Sequence, residues 1–519
     1  MEHDVIVIGG GHNGLTCAAY LAKAGKRVLV LEANPQIGGF CVTQEIPGAP
    51  GYLMDTYGHD FPFTTIRPSV VDELGLSRFG LKWVPSDPHN TYLSPEGTSW
   101  SMWHDLDRTC ESIARLSQHD AEYYVRLMRP IMDLTHTILP YLMDHPTRPS
   151  LRTIASLIRR AVKHRKSLLP GVRSMLCSPL QLINGFEREE IKAYWAMNTV
   201  TGTFQDIEES LNTGIFLYFA LLHLYPMQRP VGGSGAFPEA LAACIRAAGG
   251  EVRASSPVKR VVVRNGKTAG VILQNGEEIQ AREVVASIDP TSLFTRLMDK
   301  SDVPAIVQEE VRLMQVTANN VGHFKIDLAL SRRPTFPRHS VPDTHLGGGI
   351  SVTPSVEFVQ QIQKANRLGE FTDKVPFYIA LPSVKDRTMV PPGSQGDSAF
   401  IWCGAVPHAL SGGKSWLDHK QFYLDKVLDH IEEYSPGLRD SIIGVHANCP
   451  AEFNQPWVYR GSSRAVDLVP SQTGMWRPSP SLSGYRTPIN GLWLTGHGTH
   501  PMSGVNGWPG RNTARTMLK

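Results

Sequence analysis

The sequence predicts an α/β fold class, in which a parallel sheet is assembled from separated segments and a mixed α+β region is inserted between them. Three stretches carry this expectation. "DVIVIGGGHNGLTCAAYLAKAGKRVLVLE" opens the chain as strand, glycine turn, helix and strand; "EVVASIDP" reads as a further buried strand entering a turn; "GLWLTGHGTHPMSGVNGWPG" sets another short apolar strand before a run of glycines. With 519 residues, 41% of them hydrophobic, the chain can bury more than one core.

Val5 to Ile8 is an unbroken apolar run, the pattern of a parallel strand covered on both faces. Gly9-x-Gly11-x-x-Gly14 then turns into a helix over Leu15 to Ala24, ended by Gly25, and a second strand, Arg27 to Leu31, delivers Glu32. This is a Rossmann-like order in which each glycine has a task. Gly9 permits the tight turn, Gly11 lets backbone approach a pyrophosphate, and Gly14 lets the helix pack on the sheet. The helix amino terminus faces the phosphates, and Glu32 is placed to accept from ribose hydroxyls. The motif alone indicates an adenine dinucleotide, NAD or FAD. A second glycine turn, Gly38-Gly39, follows six residues after Glu32 and supplies a further backbone approach, which suits FAD. His12 and Asn13 lie inside the first motif and are assigned to the cofactor; Cys41 is read as small apolar packing.

This first segment is taken as residues 1–70. Residues 71–227 read as a largely helical substrate or lid region, with apolar returns at three and four in "DRTCESIARLSQHDAEYYVRLMRPIMDLTHTILPYLM". "GIFLYFALLHLYPM" is too short to cross a bilayer and reads as a buried helix or a lining, with Phe216, Tyr218, Phe219 and Leu222 set either along an apolar tunnel or in plain core. "LIRRAVKHRKSLLPGVRSMLCSPLQLI" carries Arg159, Arg160, Lys163, His164, Arg165, Lys166 and Arg173, a solvated basic face whose leucines also suit peripheral membrane contact. The sheet resumes over 228–300. Gly232, Gly233 and Gly235 form the re-entry loop, a strand covers Glu251 to Arg253, and a hairpin joins Val258–Val263 to Ala269–Gln274 around Asn265-Gly266. Strands over Glu278–Ala281 and Glu283–Ser287 follow, and Val258 either places backbone near the adenine or serves ordinary hairpin packing. Residues 301–455 contribute β-prone runs as a sheet floor. The last segment, 456–519, ends the sheet with Trp493 to Thr495, turns at Gly496 and Gly498, and starts a helix, Val505 to Met517, over the cofactor; the glycines there make room for a flat ring.

Formal net charge is +3, so nothing in the totals calls for nucleic acid. Seven dispersed cysteines without a C-x-x-C pair speak against structural zinc or a disulfide scaffold, and no metal site is expected. The amino terminus enters strand and glycine loop at once, unlike a signal or transit peptide. A cytoplasmic protein, with membrane contact at most peripheral, is the expectation.

Together, "VIVIGGGHNGLTCAAYLAKAGKRVLVLEANPQIGG", "RPVGGSGAFPEALA", "VVASIDP" and "YRTPINGLWLTGHGTHPMSGVNGWPGRNTAR" resemble the flavoprotein amine-oxidase-like superfamily, and within it the phytoene dehydrogenase (carotenoid desaturase)-like branch that includes desaturase-type carotene ketolases and the pyridine nucleotide-disulphide oxidoreductase domain-containing protein 2 group. The resemblance implies an FAD-binding domain of discontinuous segments, an inserted substrate domain and redox chemistry on hydrophobic molecules. It carries flavin contacts onto Gly9, Gly11, Gly14, Glu32, Gly38, Gly39, Val258, Gly496 and Val505, with the ring near Gly498 to Gly504 and Met502 beside it. Tyr57, His59 and Asp60 in "GYLMDTYGHDFPF" and Met502-Ser503 depart from the less polar or glycine residues usual there, which favours a substrate with a polar group over a bare polyene.

Desaturation removes a hydride toward the flavin and a proton from the neighbouring carbon. His59, His500 and Tyr57 are the candidates to take or steer that proton. A C–C dehydrogenase on a largely apolar substrate is the main expectation; amine-oxidase-like C–N oxidation and flavin-dependent isomerisation are the alternatives. A single dinucleotide motif leaves reoxidation to oxygen, a quinone or another acceptor.

Overall fold

The computed structural model describes residues 3–59, 66, 69–501 and 504–519. Its first sheet has seven strands drawn from three regions of the chain. His3–Ile8 pairs in parallel with Val28–Leu31 on one side and with Glu278–Ala286 on the other; Glu251–Arg253 extends the sheet beyond Val28–Leu31. Val5–Ile8 and Val28–Leu31 are buried at every position, as expected of parallel strands covered on both faces. One face of the five parallel strands is covered by the helices His12–Lys23, Ala236–Ala247 and Trp508–Met517, the other by the remaining two strands, the hairpin Val258–Arg264/Lys267–Leu273, and by the helices Pro290–Arg296 and Ala305–Leu313.

Several boundaries differ from the sequence reading for physical reasons. Glu278–Ala286 is one strand, not two. Its first residues pair antiparallel with Gly270–Ile272, and its last three pair in parallel with Leu492–Leu494, so it leaves the hairpin and enters the parallel sheet without a break. The first helix starts at His12 rather than Leu15, because a helix can begin inside the glycine motif once Gly11 takes extended backbone as its N-cap. Asp289-Pro290 caps a helix rather than closing a turn: the Asp289 side chain accepts from the Ser292 N–H. The last helix begins at Trp508, three residues later than expected, after Gly507 in a left-handed conformation.

The second sheet also has seven strands, in the order Ile442–Asn448, Val321–Leu330, Asp397–Pro407, Phe377–Ala380, Ile350–Val352, Asn90–Leu93, Ser99–Met102. The last two come from the region expected to be helical, so that lid also contributes a sheet edge. On Val321–Leu330, residues Phe324, Ile326, Leu328 and Leu330 pack into a core with the helix Trp416–Tyr434. The alternate positions turn His323, Lys325 and Asp327 to the opposite face. A separate helical core forms around Tyr124, Tyr194, Trp195 and Phe216. Gly214–Leu224 is indeed a buried helix.

Candidate active site

The two glycine turns are stitched to each other. Gly38 N–H donates to the Gly10 carbonyl at 2.8 Å, and Gly11 and Gly38 form a parallel bridge. Tolerance for a side chain differs sharply along the motif. A Cβ on Gly14 would stand 2.2 Å from the Gly9 carbonyl oxygen, whereas one on Gly11 would meet nothing nearer than Gly39 Cα at 3.9 Å. Gly14 is therefore committed to packing, and Gly11 to open space. Glu32 is buried at the end of its strand; its Oε2 accepts from Gly10 N–H at 2.7 Å and its Oε1 from Asn34 N–H at 2.9 Å. Burial raises its pKa, with those two hydrogen bonds opposing the rise. Ser256 N–H donates to the Glu32 carbonyl, which brings Val258, two residues on, to the same end of the sheet.

The carboxyl-terminal turn arrives at the same place. Thr495 N–H bonds the Ala286 carbonyl at 2.9 Å, and a Cβ on Gly496 would lie 3.8 Å from Ser287 Oγ, the residue that also crowds Gly9 and Gly14. Gly498 packs on Pro290, where a Cβ would approach to 2.9 Å. His12 is buried, hydrogen-bonded to Gly504 backbone and within 3.7 Å of Cys41 Sγ; burial depresses its pKa to about 4, so the ring is neutral. Asn13 Oδ1, Thr495 Oγ1 and His497 Nε2 are buried polar atoms with no hydrogen-bond partner among the described residues. Orphaned polar atoms beside a glycine cradle fit a polar dinucleotide, and the residues present accordingly suit FAD. Met502, also assigned to the cofactor, and Asp60 lie outside the described residues.

A cavity of about 630 Å³ runs from this turn to the second sheet. Gly504, Val505, Tyr57 and His59 line it from the nucleotide side, and Tyr378, Phe400 and Trp402 from the second sheet. Of the four residues proposed for an apolar tunnel, Tyr218 lines the cavity, while Phe216, Phe219 and Leu222 belong to the helical core, where Phe216 stacks on Trp195 at 4.7 Å.

His59 and Tyr57 lie in the cavity wall; His500 does not. His59 Nδ1 faces Asp55 Oδ2 at 3.4 Å, and its ring stacks on Phe400 at 4.3 Å. Burial works to raise the Asp55 pKa, but the His59 hydrogen bond and charge and the donors Ser234 N–H (2.6 Å) and Thr43 Oγ1 (3.0 Å) win, and it falls below the ordinary carboxylate value. The re-entry loop thus acts on the site through Asp55. Tyr57 makes edge contacts with Phe40 and Phe453; burial first, then the charge of Glu452, raises its pKa, so the phenol keeps its proton. His500 aims Nδ1 at the Gly474 carbonyl (3.3 Å) and Nε2 at the Tyr141 carbonyl (3.2 Å), and burial lowers its pKa to about 4. Its ring braces the terminal loop against the helix Gln118–Leu142.

Sequence reasoning missed two charged members of this site. Asp55 ends its strand shortly before His59, with no motif to mark it. Arg464 lines the cavity, stacks 5.0 Å from the Phe204 ring and donates to the Thr201 carbonyl at 3.2 Å. Burial lowers its pKa to about 10, which still leaves it charged at neutral pH. Among the described lining residues there is no Asp, Glu or Lys.

Residues 14–361 match the family model described as flavin containing amine oxidoreductase. The rat protein named "Pyridine nucleotide-disulfide oxidoreductase domain-containing protein 2" is 29% identical, with 100% of this chain and 94% of the rat protein covered. A limonene dehydrogenase subunit from Castellaniella defragrans is 27% identical over 99% of this chain and 94% of its own length, and phytoene desaturases match at lower identity. Among solved structures, cyclohexylamine oxidase from Brevibacterium oxydans shares the fold with TM-score 0.60 at 18% identity, covering 100% of both chains.

Proposed function

The chain belongs to the family of flavin-containing amine oxidoreductases and is an FAD-dependent oxidoreductase; on that premise we propose that it holds FAD noncovalently along its apposed glycine turns and oxidises a largely apolar, uncharged or anionic small molecule in the cavity. Gly11, Gly38 and Gly39 would let backbone meet the pyrophosphate, Glu32 the ribose, Val258 the adenine, and Gly496, Gly504 and Val505 the ring. The group supplies, when bound, the acceptor for a hydride leaving a substrate C–H bond. The protein's part is to orient that bond and to take the proton. Asp55, held ionised, turns His59 Nδ1–H toward itself, which leaves the imidazole basic at its other nitrogen for a proton lost next to the reacting carbon. Tyr57, held protonated, donates a hydrogen bond to a polar atom of the substrate.

The observation that carries the substrate class is the cavity's charge: mostly apolar and aromatic walls with uncharged Asn, Ser and Thr side chains among them, one arginine and no carboxylate among the described lining residues. Among the described lining residues an ammonium group would lose hydration and meet no opposite charge. This favours C–C dehydrogenation, the chemistry that the name phytoene desaturase also carries. C–N oxidation is the second reading and has the broader support of the comparisons, since the family description and the amine-oxidase folds both point to it; in this cavity an amine would have to react as its neutral base. The end of the cavity at Gly504 and Val505 would go to the flavin ring, and the space toward Tyr378, Phe400 and Trp402 to the substrate. The electrons taken from the substrate would pass on to oxygen, a quinone or another acceptor.

Anaerobic mixing separates these readings. Terpenoid, ketone and amine candidates are added in turn to the yellow holoenzyme while the flavin absorbance and product mass are followed. Bleaching by a neutral hydrocarbon or carbonyl compound, with a product lighter by two hydrogens, supports the first reading. Bleaching by amines alone, with a rate that rises as the amine is deprotonated, replaces it with the second. Purified protein that is folded, colourless and indifferent to FAD removes both.

A further inference from the structure

The consecutive helices Leu151–Lys163 and Arg165–Leu176 expose large apolar side chains in an ordered way. Leu151 is 84% exposed, Ile158 61%, Val162 60% and Leu169 79%, with Ile154, Val172 and Leu176 also exposed. At 100° per residue, Leu151, Ile154, Ile158 and Val162 share one stripe of the first helix, and Leu169, Val172 and Leu176 one stripe of the second. Arg152, Arg159 and Lys163 flank the first stripe; Lys166 and Arg173 flank the second. The inward side of the first helix is occupied differently: Thr153 is buried against Asp144, and Arg160 donates to the His136 carbonyl. Between His145 and Phe186 the sequence holds eight Lys or Arg and no Asp or Glu, while the whole chain sums to only +3. An apolar stripe edged by cations, on a face the rest of the chain leaves open, is the pattern of a helix lying in a bilayer interface. A protein partner would have to be both apolar and strongly acidic, whereas an anionic lipid surface supplies both properties at once. Among the described residues, no helix is long and apolar enough to cross a membrane.

The patch also adjoins the cavity. Met175, on the second helix, lines the cavity, and its carbonyl accepts from Thr213 Oγ1 at 3.2 Å. Leu211, whose N–H bonds the Cys177 carbonyl, is 49% exposed and lines the same cavity, so the cavity reaches the surface next to Leu176.

We propose that the helices Leu151–Lys163 and Arg165–Leu176 dock the enzyme on an anionic bilayer and set the mouth of the cavity against the lipid, from which the substrate enters. The docking does not depend on which bond is oxidised.

The test is flotation of the FAD-loaded protein with phosphatidylcholine vesicles and with vesicles in which about a third of the lipid is phosphatidylglycerol, at low and high salt. Wild-type protein should float with the anionic vesicles and be released by salt. Ile158→Asp with Leu169→Asp, both at exposed positions, should abolish flotation while flavin absorbance and circular dichroism stay unchanged. Arg159→Glu with Lys166→Glu should weaken binding to the anionic vesicles by at least about tenfold, since each interfacial cation contributes roughly fivefold. Wild type that stays unbound with both vesicle types overturns the proposal, as does aspartate-variant flotation equal to wild type. If wild type is a dimer by light scattering and the aspartate pair makes it monomeric, a second copy covers the patch and the membrane assignment falls.

Discussion

Replacing Gly11 and, separately, Gly14 with alanine divides holding the fold from holding the dinucleotide. Gly11 has φ −70° and ψ 162°, ordinary extended backbone, and its added methyl group meets nothing within 3.8 Å, the first atom being Gly39 Cα at 3.9 Å. In the flavin-free protein Gly11→Ala should therefore cost about 0.5–1 kcal/mol, because glycine is the better N-cap of the two. At Gly14 the methyl would stand 2.2 Å from the Gly9 oxygen and 2.9 Å from Ser287, so backbone has to move. Overpacking of this kind costs about 1–3 kcal/mol, more than the gain of about 1 kcal/mol from alanine's helix propensity over nearly all of that range, and the sub-van der Waals contact with backbone places it toward the upper end, a net loss of about 2 kcal/mol. Binding reverses the order. At Gly11 the methyl occupies the approach of the pyrophosphate, and one lost hydrogen bond to a charged oxygen removes about 1.5–3 kcal/mol, or at least about tenfold in affinity. Denaturant unfolding with and without FAD measures both quantities. At FAD set to about one hundred times the wild-type Kd, wild type gains about 2.7 kcal/mol and a variant weakened about thirtyfold gains about 1 kcal/mol. Wild-type FAD affinity in Gly11→Ala, or unfolding of its flavin-free form as severe as in Gly14→Ala, would refute the assignment of Gly11 to the pyrophosphate.

The remaining expectations concern the cavity and the buried histidines. His59→Gln and Asp55→Asn should retain FAD and slow flavin reduction about a hundredfold in stopped-flow mixing, the usual size of a general-base contribution; an unchanged rate across pH would remove the pair from the mechanism, and His500→Asn should lower stability with a smaller effect on the rate. Arg464→Met should raise KM about tenfold to a hundredfold for carboxylate- or carbonyl-bearing substrates and leave apolar ones nearly unaffected, as expected for a hydrogen bond to a charged group. His12 and His500, with folded pKa values near 4 against an ordinary 6.5, stay neutral while the unfolded chain protonates. Their contribution is complete above about pH 6.5 and is lost as pH falls toward 4, up to about 3 kcal/mol each; urea midpoints at about pH 7.5 and about pH 5 should show the fall, and His500→Asn should flatten it. NADH or NADPH alone should not reduce the flavin rapidly, because the sequence holds one complete dinucleotide motif; fast stoichiometric reduction would contradict this.

The glycine motif, the strand before it and Glu32 were legible because each is a local necessity: only glycine survives 2.2 Å from a carbonyl oxygen at Gly14, and only an acid at the end of Val28–Leu31 meets both the Gly10 and the Asn34 N–H. The return of the chain at Leu492–Leu494 was legible for the same reason, a three-residue apolar strand followed by the positive-φ turn at Gly496. What could not be read was chemistry built across the fold. Asp55 becomes the partner of His59 only because the loop at Ser234, 179 residues away, donates to its other oxygen. Arg464 lines the cavity beside Thr201, whose carbonyl it bonds, and Tyr218, and no spacing in the sequence couples those positions. The placement of His500 could not be read for the same reason. A histidine among glycines resembles a catalytic group, yet the two nearest carbonyls belong to Gly474 and Tyr141, one on the helix Gln118–Leu142. Because both ring nitrogens are directed at backbone, replacing His500 perturbs the packing of the terminal loop first, whereas replacing His59, in the cavity wall, perturbs the reacting proton first. Measuring both variants for FAD retention and for flavin reduction therefore distinguishes a brace from a base without knowledge of the natural substrate.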